Sequence, residues 1–150
     1  MGIEKADGGS SMQEELNMEI PNEPQYLSVA RLAAYGLAQK MDFPEEEIED
    51  IKVCLSEACN TIIEKGKLKK KRENIDIHFK LADDKLTIRV DTPGNELDEK
   101  IWGKSHGLGQ SFVETLMDDV HYIKNKNKGT TVEMVKYLTN TANEPLKYQH

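Results

Sequence analysis

Two glycines, Gly107 and Gly109, come directly before a segment whose apolar residues have helical spacing. The backbone N–H groups in the first turn of a helix bind phosphate, and glycine allows a ligand to approach the chain closely. Gly107-Leu108-Gly109 is therefore a candidate phosphate-binding turn. The alternative is an ordinary loop-to-helix turn that needs only the conformational freedom of glycine.

The two cysteines of the chain, Cys54 and Cys59, lie five residues apart in an apolar stretch. This spacing suits neither a C-x-x-C redox pair nor a zinc knuckle. On a helix the two side chains would lie well apart around the axis. We therefore expect buried, reduced thiols in a reducing compartment.

Residues 65–72 carry six positive charges. Such a run can contact nucleic acid or an acidic partner, but no aromatic residue is interleaved and the run precedes a predicted strand. The whole chain has a formal net charge of -7, which argues against a nucleic-acid binder and against a protein of anionic membrane surfaces. We interpret the run as a solvated turn.

The length of 150 residues fits one domain with a substantial core. No stretch approaches the ~18 apolar residues of a membrane span, and the N-terminus lacks the basic-then-apolar pattern of a signal peptide. We therefore expect a cytoplasmic protein. Residues 1–15 are rich in Gly, Ser and acidic residues, and residues 139–150 are polar. We expect both ends to be disordered around a domain that spans residues 16–138.

Apolar periodicity between these ends predicts five strands and three helices. The strands fall at residues 16–20, 75–81, 86–90, 120–124 and 130–138, and the helices at 25–41, 45–65 and 107–117. Apolar or small residues with helical spacing are Val29, Leu32, Ala33, Gly36, Leu37 and Met41 in the first helix and Ile48, Ile51, Leu55, Ala58 and Ile62 in the second. This order of elements predicts an α+β two-layer sandwich, with three helices on one face of a mixed, mostly antiparallel sheet.

Four stretches of the chain are similar, in order, to the motifs of one protein family. They are Glu47–Lys52 leading into Ser56–Cys59, then Gly107–Gly109, Glu114–Val120 and Thr131–Leu138. On these residues the chain resembles the bacterial anti-sigma-factor serine-protein kinases of the GHKL (Bergerat-fold, histidine kinase-like) ATPase superfamily. The resemblance implies the same fold, ATP and Mg²⁺ as cofactors, and a homodimer. It also implies a protein that binds a sigma factor, and that binds an anti-anti-sigma protein and phosphorylates it on a serine.

In that family a helix carries the motif Glu-x-x-x-Asn, in which the Glu acts as general base or positions water and the Asn ligates Mg²⁺. Glu57 matches the Glu, so the resemblance implies a catalytic role for a residue that alone would be a solvated helix acid. The position of the Asn holds Thr61, and the nearest Asn is Asn60. On an ideal helix Thr61 and Asn60 lie about 40° and 60° from Glu57 around the axis, on opposite sides. Asn60 would therefore reach a metal or a nucleotide from an unusual direction.

The next family motif is Asp-x-Gly after a strand, where the Asp accepts a hydrogen bond from the adenine amino group. Gly94 anchors the alignment here, so Thr92 occupies the Asp position and is the candidate adenine contact. Asp91 lies one residue earlier, and a one-residue shift moves a strand side chain to the other face. We interpret Asp91 as a turn former at the end of the strand.

Three further features follow from the resemblance. The turn at residues 107–109 matches the phosphate-binding glycines, although Ser105 stands where the family usually has another Gly. Thr131 matches a strand position that contacts adenine through a hydroxyl or a water, and its alternative role is that of an ordinary strand residue. The loop at residues 95–106 is shorter than the lid that usually closes over ATP in the family.

The departures at Thr61, at Thr92 and in the lid affect three different parts of an ATP site. We therefore predict a partner-binding regulatory domain of the anti-sigma type, with weak or absent kinase activity. The alternative is an active, ATP-dependent serine-protein kinase that phosphorylates an anti-anti-sigma partner.

Overall fold

A computed structural model describes residues 13–66, 74–91, 108–125 and 129–139. The elements within these ranges are β1 (Glu14–Ile20), α1 (Leu27–Lys40), α2 (Glu45–Gly66), β2 (Ile75–Leu81), β3 (Lys85–Asp91), α3 (Leu108–Leu116), β4 (Asp119–Asn125) and β5 (Gly129–Tyr137). Their order is the predicted one. Most of the two terminal segments for which we predict disorder lies outside the described residues, and β1 begins at Glu14 rather than at Leu16.

The strands form one sheet in the order β1-β2-β3-β5-β4, and each described pairing between neighbours is antiparallel. β3 and β5 are neighbours although α3 and β4 lie between them in the chain. Their register aligns Val90 with Val132 and Asp91 with Thr131. The predicted α+β sandwich is confirmed, and within the described residues its sheet has antiparallel pairs where we expected some parallel ones.

One face of the sheet is packed against the helices and contributes to the core. Side chains at alternate positions of β2, β3 and β5 are buried there, because successive side chains of a strand point to opposite faces. They are Ile75, Ile77, Phe79, Leu81, Leu86, Ile88, Val90, Val132 and Met134. Fully burying a large apolar side chain contributes roughly 1.5–3 kcal/mol relative to leaving it exposed. This row therefore fixes which face of each strand lies toward the helices.

α2 packs against both α1 and α3 in the helix layer. Its predicted apolar residues are all buried, namely Ile48, Ile51, Leu55, Ala58 and Ile62. Cys54 and Cys59 are also buried as free thiols, and burial raises the pKa of each to about 12. The predicted burial of both cysteines is confirmed. Among the described helices, α2 included, none is long and apolar enough to cross a membrane.

α1 buries a different face from the one on which Val29 and Leu32 lie. Ala30, Ala34 and Ala38 are buried, whereas 45% of Val29 and 69% of Leu32 are exposed. The three alanines recur every four residues and form one face of the helix. Small side chains allow α1 to lie close to the rest of the protein, and they give a weak hydrophobic signal in the sequence. Val29 and Leu32 therefore indicated the wrong face, whereas the predicted Ala33, Leu37 and Met41 do pack against the core.

A tight reversal at Asp42 connects α1 to α2. Asp42 has a φ of 68°, in the left-handed region, and the N–H of Phe43 donates to the carbonyl of Ala38 at 3.1 Å. The N–H of Asp42 donates to the carbonyl of Gln39 at 2.9 Å. These two bonds satisfy carbonyl groups that the end of a helix leaves without partners. The buried Phe43 ring then follows directly, so the start of α2 is held close to the end of α1.

Candidate functional site

The candidate site residues divide between α2, the start of α3 and the ends of two strands. Glu57, Asn60 and Thr61 all lie on α2. Leu108 and Gly109 form the start of α3, where the backbone is described. Thr131 lies near the start of β5. The other three candidates, Thr92, Gly94 and Gly107, lie outside the described residues.

Glu57 is half-buried on α2. Its carboxylate has no hydrogen bond or ion pair with any side chain in the part of the chain that the structure describes. The residue before it, Ser56, accepts a hydrogen bond from Nη1 of Arg31 at 3.2 Å, which joins α1 to α2. The backbone that carries Glu57 is therefore fixed, while its carboxylate remains available for a substrate proton.

The Thr61 hydroxyl donates to the backbone carbonyl of Glu57 at 2.9 Å. This bond within the helix is one that serine and threonine hydroxyls often make with the carbonyl one turn earlier. It uses the proton of the hydroxyl and leaves the lone pairs of its oxygen, but the threonine side chain is shorter than asparagine and offers no amide oxygen to a metal. Thr61 is therefore a poor replacement for the family's asparagine.

Asn60 is half-buried beside Thr61 and could supply an amide oxygen to Mg²⁺. Within the described residues there is no group of three or more His, Cys, Asp or Glu side chains that could hold a metal ion. Mg²⁺ does not require such a cage, because it keeps several waters and is often held by one or two side chains together with substrate phosphates. The donor set on α2 fits a Mg²⁺ ion that arrives with a nucleotide.

α3 begins at Leu108, within the candidate phosphate-binding turn. It runs from Leu108 to Leu116 and packs against α2. The first backbone N–H groups of a helix have no partner within the helix and carry partial positive charge. They are suited to phosphate oxygens, and the packing brings α3 into the same layer as Glu57.

Asp91 and Thr131 lie on the opposite face of the sheet. Each is next in sequence to a buried valine, Val90 or Val132, that points toward the helices. The Thr131 hydroxyl, which is 2% exposed, donates to Oδ1 of Asp91 at 2.5 Å. The structure therefore does not bring Thr131 to the face where Glu57 lies. Instead it pairs Thr131 with the residue that we interpreted as a turn former.

This pair belongs to a row of polar side chains, the cross-strand row, formed by Asn17, His78, Asp91 and Thr131. Nε2 of His78 lies 3.4 Å from Oδ2 of Asp91, and Nδ1 of His78 contacts Oδ1 of Asn17. The row joins β1, β2, β3 and β5. The row could not be predicted from the sequence, because strand register decides which polar residues of different strands lie side by side. Alternation within each strand was the available signal.

Asp76 lies beside the cross-strand row, and the charges of that row shift the pKa of its carboxyl. Burial raises the pKa of the Asp76 carboxyl above its ordinary value, the carboxylates of Glu19 and Asp91 raise it further, and His78 lowers it. Glu19 in turn accepts a hydrogen bond from Nδ2 of Asn74 at 2.9 Å. This end of the sheet is therefore acidic on the face away from the helices.

Lys136 on β5 is a further charged residue whose position was not predicted from the sequence. It occupies the same alternating positions as Val132 and Met134, on the helix-facing side, and it is buried. Its Nζ donates to the carbonyl of Leu116, the last residue of α3, at 2.7 Å. The sequence did contain a signal for it, namely a lysine at a position where the alternation of the strand predicts a buried apolar residue.

Comparisons with known proteins agree with the geometry. A family model described as histidine kinase-like ATPase domain matches residues 20–136. The serine-protein kinase RsbW of Bacillus subtilis is 33% identical, and the match covers 82% of this chain and 85% of that protein. RsbW of Bacillus velezensis is 32% identical over 86% of this chain and 89% of its own length. RsbW of Bacillus cereus is 34% identical over 83% of this chain and 86% of its own length.

Proposed function

Because the chain belongs to the histidine kinase-like ATPase domain family, we propose that it is a cytoplasmic regulator of the anti-sigma type with weak or absent kinase activity. Its partners are a sigma factor and an anti-anti-sigma protein. The observation that carries the proposal is Thr61, whose hydroxyl is donated to the carbonyl of Glu57 where the family has a metal-binding asparagine. The loss of that ligand weakens the chemistry and leaves the protein-binding role.

The second candidate is an active serine-protein kinase, which is what the relatives from the three Bacillus species are called. The half-buried Glu57 carboxylate favours it, because among the described residues no side chain occupies it. In this reaction the serine oxygen of the partner bonds to the γ-phosphorus of ATP, and the bond from that phosphorus to ADP breaks. The serine proton passes to Glu57. Asn60 would hold Mg²⁺, which supplies positive charge to the phosphates.

Calorimetric titration with ATP and ADP, with and without Mg²⁺, separates the two candidates. No heat at millimolar nucleotide, from a folded sample, is the result expected of a protein-binding module. Micromolar binding that depends on Mg²⁺ would contradict the proposal and favour the kinase. Pull-down of a sigma factor and of an anti-anti-sigma protein then tests the partners in either case.

Variants of Glu57 test the catalytic assignment. Glu57→Ala should abolish any transfer of labelled phosphate to an anti-anti-sigma protein. It should leave the free energy of unfolding within ~0.5 kcal/mol of the wild type, because partly exposed residues without partners contribute little to stability. Robust transfer that depends on Glu57 would overturn the proposal of weak activity. A loss of several kcal/mol in stability would instead make Glu57 a structural residue.

An exchange of two neighbouring residues tests the role of the displaced asparagine. The double variant Asn60→Thr/Thr61→Asn restores the family spacing from Glu57. If the altered position weakens the metal site, the exchange should strengthen Mg²⁺-dependent ATP binding, and Thr61→Asn alone should do so in part. Thr61→Val, which removes only the hydroxyl, is the control and should not. Equal binding by all these variants would mean that the asparagine position does not limit the site.

We further propose that two copies associate through α1. Its exposed Val29 and Leu32 lie near Gly36, where an added Cβ would meet no atom within 4 Å. Glycine inside a helix costs about 1 kcal/mol relative to alanine, and no described contact within the chain requires it. A second helix could approach closely there. Leu32→Lys should therefore yield monomers in sedimentation experiments, whereas Thr115→Lys on α3 should not.

A further inference from the structure

Lys136 is a buried lysine in the row of β5 that faces the helices. It is 9% exposed, and it lies opposite the fully buried Leu86 of β3 in the antiparallel register. Lysine is almost never this buried unless its charge is paired, since removing an ammonium group from water is costly. Specific partners must therefore compensate for its burial.

The first partner is the end of α3. Nζ of Lys136 donates to the carbonyl of Leu116 at 2.7 Å. The last carbonyl groups of a helix have no partner within it, and they carry partial negative charge. A cation at this end satisfies a carbonyl and interacts favourably with the helix dipole. The interaction fixes the end of α3 to β5.

The second partner is the first half of α2. Burial raises the pKa of the Glu47 carboxyl, the charge of Lys136 lowers it, and the charges of Asp118, Asp50 and Glu46 raise it. Oε1 of Glu47 is buried and has no hydrogen-bond partner within the described residues. The charge of Lys136 therefore acts on Glu47 in α2, while its ammonium group contacts the end of α3, although burial still keeps the pKa of the Glu47 carboxyl raised.

Backbone bonds on both sides of Lys136 hold the same junction. The N–H of Asp118 donates to the carbonyl of Val135 at 2.9 Å, and the N–H of Tyr137 donates to Oδ2 of Asp118 at 2.7 Å. The two residues of β5 on either side of Lys136 thus contact the segment that follows α3. Lys136 is the one whose side chain reaches the helix itself.

We infer that Lys136 is a positioning residue, which holds the far end of α3 so that the backbone N–H groups at Leu108 keep their place for nucleotide phosphate. α3 has nine residues and is roughly 13 Å long, so that a shift at its end is carried to its start. The phosphate part of this inference rests on the second candidate function, in which the chain binds a nucleotide. The anchoring of α3 does not.

The test uses the full chain with Lys136→Met, which keeps the length of the side chain and removes its charge. Amide hydrogen exchange should accelerate about tenfold or more in α3, since hydrogen bonds made by charged donors are among the strongest in proteins. If the wild type binds ADP, as the second candidate function requires, the affinity of the variant for ADP should fall by a similar factor, while the affinity for adenosine, which lacks phosphate, should not change. Lys136→Arg, which keeps a charged donor, should restore both properties.

The control is Ile77→Val, which weakens the core in β2 without touching α3. If Lys136→Met accelerates exchange evenly over the fold, as Ile77→Val should, then Lys136 is merely structural and the inference is overturned. If the wild type binds ADP and Lys136→Met lowers ADP and adenosine affinity equally, the phosphate part is wrong. If the wild type binds neither, the second candidate function and the phosphate part fail together, and exchange in α3 still decides the anchor. Lys136→Gln, with a shorter uncharged donor, gives the same comparison should the methionine variant not fold.

Discussion

Val90 and Asp91 are neighbours in β3, but they belong to two very different surfaces. Val90 is fully buried toward the helices, whereas Asp91 lies on the far face, where it accepts a hydrogen bond from Thr131 and lies near His78. The same difference separates Val132 from Thr131 on the adjacent strand. One face is held by packing, and the other by a row of polar groups that crosses the strands.

This contrast shows how closely strand register constrains function. A side chain of the sheet can reach a site on the helix side only from a position of the buried row. Among the described side chains of β3 and β5 on that side, the only charged one is Lys136, and it is occupied by the end of α3. The cross-strand row has the polar groups but faces away from Glu57. A shift of one residue along a strand therefore decides whether a polar side chain faces the helices or the opposite side of the sheet.

The largest effect expected from this comparison is in the buried row. Phe79→Ala should lower the free energy of unfolding by about 3–5 kcal/mol, because it leaves a cavity in a packed core. Its neighbour Lys80 points to the other face and is exposed. Lys80→Ala should stay within ~0.5 kcal/mol of the wild type. Denaturant titration of both variants measures the contrast, and similar losses would contradict the assignment of the two faces.

A smaller effect is expected in the cross-strand row. Thr131→Val keeps the shape of the side chain and removes the hydroxyl that donates to Asp91, so we expect a loss of about 1–2 kcal/mol. Thr87 is the matched control, since it is also buried on that face and makes no side-chain hydrogen bond with other described residues. Thr87→Val should be close to neutral in the same titration. Equal losses would mean that the row contributes shape and not hydrogen bonding.

The smallest effect concerns the acidic end of that row. The pKa of Asp76 is raised in the folded protein, so the folded state binds its proton more tightly than the unfolded chain does. The resulting stabilisation is fully present below the ordinary value of 3.8 and is lost as the pH rises through the raised pKa. Asp76→Asn should therefore be more stable than the wild type at neutral pH, by at most ~0.5 kcal/mol because the group is largely exposed.

That advantage should disappear below about pH 4, where the wild-type carboxyl is protonated as well. Thermal unfolding at both pH values measures it. Asp84→Asn, in the turn between β2 and β3, removes the same charge away from Glu19 and Asp91 and is the control. A stabilisation that is equal at both pH values would show that repulsion at Asp76 is not its cause.

Much of the fold could be predicted from the sequence, because strands and α2 follow simple apolar periodicity. Ile48, Ile51 and Leu55 are large enough to mark the buried face of α2 without ambiguity. The same rule failed in part on α1, where Leu37 packs against the core but alanines are buried and Leu32 is exposed. Close packing selects small residues there, and their hydrophobic signal is weaker than that of the larger residues on the solvent side.

The candidate site was less accessible to sequence analysis. Glu57 and Thr61 could be placed on α2 because helix spacing is regular, but the bond from the Thr61 hydroxyl to the backbone depends on its rotamer. The partner of Thr131 depends on the register between β3 and β5, which are far apart in the chain. The contact of Lys136 with Leu116 depends on how α3 packs over the sheet. Local patterns contain none of this information.

The reactivity of the two cysteines of α2 can be used to measure how often the domain opens. Only the thiolate form reacts readily with alkylating reagents, and at neutral pH the buried Cys54 and Cys59, with pKa values of about 12, hold almost none of it. Reagent can label them only during excursions that expose α2 to solvent. The rate of labelling then measures how often the central helix opens, without any mutation or attached probe, and a bound partner that closes the domain would slow it.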